Sequence, residues 1–197
     1  ADLAFADIAD SRLRERLSGV EGGLVAEIVL RDPVEAVSLI RTIVGALRRH
    51  RTVTAPPTAP LRPFVLGFME TVAGFGAFID GLNDAEEETA RIADLFRELA
   101  GAVDCALTAD DPASLVRLLT ARPHPDLCTK AGGFSTYRKK GKWGAVAKRS
   151  GLAKADGDRM NDEAEGHYKS CIEAWQEMQR NVASRILADA ISEVQPV

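Results

Sequence analysis

Toward the C-terminus the apolar residues fall on one helical face. Tyr168, Cys171, Trp175, Met178, Val182 and Ile186 follow one another at steps of three or four, the spacing that brings side chains together on one side of an α-helix. This pattern predicts a single long helix from near Asp158 to Val194, about 55 Å if straight, at about 1.5 Å per residue. A small bundle needs less helix than that to close its core. Part of the face carrying Tyr168, Trp175, Met178, Val182 and Ile186 is therefore expected to meet a partner chain, unless a kink at Gly166 removes the need, and a homo-oligomer is the expected state.

The same period recurs upstream. A short amphipathic piece covers Asp7 to Leu17, and the apolar run Leu24 to Leu30 fits either strand or helix. Asp32-Pro33 then starts a helix, with the carboxylate as cap and proline in the first turn. Its stripe runs through Val34, Val37, Ile40, Val44 and Leu47 to a basic end at Arg48–Arg51. The Pro-rich stretch 54–60 reads as a loop. Pro63 opens a further helix that is apolar nearly all round, from Phe64 to Leu82. Asn83-Asp84 caps the next, Ala85 to about Leu107, with Glu86, Glu87 and Glu88 in its first turn where they complement the helix dipole. Asp111-Pro112 starts a short one ending before Arg122. The chain reads as all-α, a bundle of five to six helices with a long C-terminal helix and a basic Gly-rich segment. One domain spans 1–197, its core formed by about 32–121 and 158–194, its basic segment by 127–155.

The run Phe64–Leu82 is apolar enough to raise the question of a membrane. Glu70 lies in its middle, and a central carboxylate costs about 2.5–3.5 kcal/mol on insertion scales. A buried bundle helix is the expectation, with no membrane. Glu70 is then expected to be buried and paired with an arginine such as Arg41 or Arg91, and a pocket beside it is the remaining enzyme reading.

Composition changes this picture little. Hydrophobic residues make up 46% and charged residues 27%, which excludes wholesale disorder. Three scattered cysteines give no disulfide frame, and no basic-then-apolar leader opens the chain, so a reducing, cytoplasmic setting is expected.

Charge changes it more. The net charge is −4, yet between Asp126 and Asp156 there is no acidic residue, while Lys130, Arg138, Lys139, Lys140, Lys142, Lys148, Arg149 and Lys154 all fall there. That window carries +8, which leaves −12 for the rest of the chain. Phe134, Tyr137 and Trp143 alternate with these cations among glycines. Cations attract phosphate and aromatic faces stack on bases, so the segment is a candidate nucleic-acid contact, with Tyr137 or Trp143 stacking. The alternative is a surface loop whose aromatics tuck back onto the bundle. Residues 146–161 also open like a helix-turn-helix. That reading falters at Gly157, where a buried aliphatic is wanted, and at Asp156 and Asp158, which repel phosphate. In architecture the chain is similar to the coat proteins of helical rod viruses, which are helical bundles with a basic segment along the nucleic acid; no motif matches residue by residue.

Other chemistry finds no frame. His167 and Glu163 share a helix face without further ligands, and Asp156-Gly157-Asp158 lacks the later positions of a calcium loop. For Cys128 the sequence itself points to no base. No metal, cofactor or catalytic residue is expected. The leading expectation is a non-enzymatic assembly protein contacting nucleic acid; the runner-up is a helical protein-interaction module.

Overall fold

The computed structural model describes residues 59–108, 118–119, 124–130 and 133–194, together with Ser11, with the side chains of 140, 186, 187 and 189–194 outside that description. The helices expected over 7–17 and 33–51, and most of the one at 112–119, lie outside the described residues. What is described is all-α, and it holds four α-helices rather than the five to six expected of the whole chain. They are α1 (Arg62–Asp80), α2 (Glu87–Thr108), α3 (Lys140–Arg149) and α4 (Lys154–Val194).

In α1, proline in the first turn presets the backbone, and Gly81 closes the helix by donating its N–H to the Ala77 carbonyl at 3.0 Å. Val65, Phe68, Val72, Phe75 and Ile79 form its buried stripe. Phe68 meets Trp175 edge to face at 5.4 Å, and Phe75 stacks on His167 at 5.7 Å. Later residues of α1 thus meet earlier residues of α4, so the two helices run antiparallel. The helix is long and apolar enough to cross a membrane by length and composition, but its inward stripe is bundle core. Glu70 faces solvent on the opposite side. The expected burial of Glu70 is corrected: a helix with only a third of its apolar window buried leaves a whole face for a carboxylate. Arg91, one of its expected partners, pairs with Asp126 at 2.6 Å.

Helix α2 buries Thr89, Ile92, Ala93, Phe96, Ala100, Val103 and Ala106. Phe96 is the hub of the core, within 6.5 Å of Phe75 and of Phe134 and 5.9 Å of Tyr168. The cap is not at Asn83-Asp84. The Glu86 carboxylate accepts the N–H of Thr89 at 2.8 Å and of Glu88 at 3.2 Å, satisfying two orphan donors of the first turn.

Helix α3 falls inside the basic Gly-rich segment. Gly151, at φ 69, turns the chain out of it, a left-handed conformation that glycine adopts without steric cost. Helix α4 then begins at Lys154, with Asp156 reaching back to accept the Ala153 N–H at 3.1 Å. A helix–turn–helix pair is thereby formed, and Gly157 is its closest point. A Cβ there would stand 2.9 Å from the Trp143 carbonyl oxygen and 3.0 Å from the Ala147 Cβ. The position that lacks an aliphatic is where the two backbones touch.

Tyr168, Cys171, Trp175, Met178 and Val182 are all buried within this one chain. The stripe is real, but α1 and α2 cover it, so it is not left over for a partner; Leu119 also joins the core and accepts a bond from Gln179 at 2.6 Å. The side chain of Ile186 lies outside the described residues.

Candidate nucleic-acid interface

The basic segment starts with a tight hairpin. A 3-10 turn at Pro125–Leu127 leads to an isolated antiparallel bridge between Cys128 and Phe134. Thr129 donates to the Gly133 carbonyl and Ser135 to that of Leu127, each at 2.8 Å. The hairpin drives Leu127 into the core and lays Phe134 against Phe96. Lys130 lies exposed on it.

Tyr137 and Trp143 follow, and neither is on the surface. Trp143 is fully buried and Tyr137 nearly so. The Trp143 Nε1–H donates to the Tyr137 hydroxyl at 2.7 Å, and that hydroxyl lies 2.7 Å from Thr89 Oγ1. Thr89 spends its proton on the Glu86 carboxylate, also at 2.7 Å, so Tyr137 must be the donor to Thr89. The result is a one-way chain from indole to phenol to hydroxyl to carboxylate, with each buried polar group satisfied. Burial holds the Tyr137 phenol above its usual range, and burial likewise pushes Tyr168, whose hydroxyl donates to the Ser135 carbonyl at 2.7 Å, up to about 12. With their rings in the core, Tyr137 and Trp143 present no face on which a base can stack.

The cations divide into two groups. Lys139 and Lys142 both reach the Glu88 carboxylate, and Lys142 also stands 3.9 Å from Glu86. Hydrogen bonds from Lys139 and then Lys142 bring the Glu88 carboxyl down to about 2. Arg149 grips Asp84 with two nitrogens, Nε to Oδ2 and Nη2 to Oδ1, each at 2.9 Å, the bidentate geometry for which a planar guanidinium is suited. Lys130, Arg138, Lys148 and Lys154 are exposed and make no ion pair among the described residues. The side chain of Lys140 is outside the description.

No protein-family model, curated protein or solved structure matches the chain. The site stands on its own geometry. Among the described residues no three His, Cys, Asp or Glu side chains converge to hold a metal. His167 lies against Phe75 and Phe78 as a core ring. The carboxylates Asp84, Glu86 and Glu88 were visible in sequence only as helix-start residues. The signal that could have found their second role is the charge balance itself, +8 in one segment against −12 elsewhere.

Proposed function

We propose that this is a non-enzymatic helical assembly protein that contacts nucleic acid through charge alone. The reading rests on one observation: Lys130, Arg138, Lys148 and Lys154 are exposed, carry no carboxylate partner among the described residues, and sit in a segment without an acidic residue. Such cations neutralise phosphates and release counterions, whatever the base sequence. Buried Tyr137 and Trp143 serve as anchors that hold the segment on the bundle. Stacking on bases is no part of the proposal.

Fluorescence anisotropy with a labelled single-stranded oligonucleotide tests it. Four phosphate contacts give a log–log salt slope of about −3, from about 0.7 per contact on a single strand. Replacing all four cations with alanine should flatten that slope and weaken binding at 50 mM salt by on the order of two decades. No binding by the wild type at low salt defeats the reading. The mass and nucleic-acid content of the purified protein at low and high salt test the assembly part.

A second reading has its own observation. Lys139, Lys142 and Arg149 already dock on an acidic helix start, the kind of surface an acidic protein partner would offer. Binding to such a partner survives nuclease treatment, which separates the two.

A further inference from the structure

We infer that the acidic start of α2 is a built-in competitor for nucleic acid, holding part of the basic segment in an autoinhibited state. The inference rests on the charge-contact reading above. Three of the seven basic side chains described in the segment are occupied, and they are occupied by carboxylates placed as phosphates would be. Asp84 takes the two-nitrogen fork of Arg149, a geometry that carboxylate and phosphate share. Glu88 lies between Lys139 and Lys142, as a phosphate lies between two lysines. Asp84 stands just before α2 and Glu88 in its first turn, and between them they hold Lys139, Lys142 and Arg149.

The anchoring and the competing contacts are separate. Trp143, Val146 and Ala147 fix α3 by burial, so the helix need not leave the bundle for its charges to change partner. Arg149 and Lys142 keep 62% and 56% of their side chains exposed, which leaves both free to turn toward solvent. Lys139 keeps only 16% and is the least able to move. Ion pairs as exposed as those of Lys142 and Arg149 are screened by salt and exchange partners readily, so a polyanion that offers denser negative charge can displace them. Wild-type protein then binds with the four unpaired cations first, and gains Lys142 and Arg149 only against the pull of Glu88 and Asp84.

The paired substitution Asp84→Asn with Glu88→Gln tests this. It frees Lys142 and Arg149 while preserving side-chain size. The control is Glu98→Gln with Glu173→Gln, which removes the same charge from two exposed acids outside the ion pairs of the segment. Each protein is titrated with a labelled single-stranded oligonucleotide between 50 and 300 mM salt. The expected result is binding at least roughly tenfold tighter at 50 mM salt, with a slope steeper by about 1.5, for the Asp84/Glu88 variant and not for the control. Equal gains in both variants mean general charge repulsion; this overturns the autoinhibition and leaves the charge-contact reading standing. No binding by any of the three proteins overturns both. If the double variant fails to melt cooperatively, Asp84→Asn alone decides the matter. It lies outside α2 and frees only Arg149, so a gain of roughly threefold is expected, and no gain over the control refutes the inference.

Discussion

Replacing Tyr137 with phenylalanine removes one oxygen from the core and leaves the ring. That hydroxyl accepts the hydrogen bond of the Trp143 Nε1–H and donates to Thr89. Thr89 keeps its bond to Glu86, so its loss is small. Among the described residues the indole N–H has no second acceptor, and its ring is wholly buried. A buried donor left unpaired costs about 1–3 kcal/mol, and a more apolar ring returns part of that. The expected destabilisation is about 2 kcal/mol, or a fall in Tm of about 4–8 °C for a chain of this size. Urea denaturation followed by far-ultraviolet circular dichroism measures it, with the m-value unchanged. The cycle with Trp143→Phe isolates the bond, because the second substitution no longer strands an N–H; a coupling of about 1 kcal/mol or more is expected. A Tyr137→Phe protein within about 0.5 kcal/mol of wild type would refute the claim that the chain from Trp143 to Glu86 holds the segment in place.

Glycine substitutions should split by position. Gly157→Ala adds a methyl against the Trp143 carbonyl and the Gly144 Cα, backbone that cannot step aside, so overpacking of roughly 1–3 kcal/mol outweighs a helix-propensity gain of about 1, and Tm falls. Gly101→Ala meets nothing within 4 Å and gains the propensity alone, so Tm rises; equal shifts of one sign would contradict the packing described. For Glu88 the carboxyl goes from an ordinary 4.5 down to about 2 in the folded chain. Its stabilising contribution is therefore complete above pH 4.5 and is lost as pH falls toward 2; Glu88→Gln should flatten the acid limb of a Tm-against-pH profile, and an unchanged limb argues against the Lys139–Glu88–Lys142 cluster. Among the cysteines, Cys105 is exposed whereas Cys171 is buried and pushed up to about 12, so a thiol reagent at pH 8 should modify Cys105 quickly and Cys171 only on unfolding.

Periodicity made α1, α2 and α4 legible, because each carries a stripe at steps of three and four. It did not say what covers a stripe. Helix length alone points the face of Trp175, Met178 and Val182 toward a partner, yet α1 lies along it. Helix α3 was hidden for a different reason. Gly141 and Gly144 lower its propensity, while the burial of Trp143, Val146 and Ala147 overrides it. The capping error has the same root: Asn83 and Asp84 are good caps by type, but Asp84 is held by Arg149, a residue distant in sequence, and Glu86 takes the cap. The cations were legible as a group. Their division into paired and unpaired was not, since it depends on which carboxylates the fold brings opposite.

The burial of Trp143 and Tyr137 has a consequence for how this surface can change over generations. Anchoring and charge reside on different residues of one short stretch. A substitution at Trp143, Tyr137 or Gly157 is judged by whether the chain folds, while one at Lys130, Arg138, Lys148 or Lys154 alters the charge pattern and leaves the fold alone. The cations can therefore be added, removed or moved by one helical turn as selection demands, on a frame that stays put.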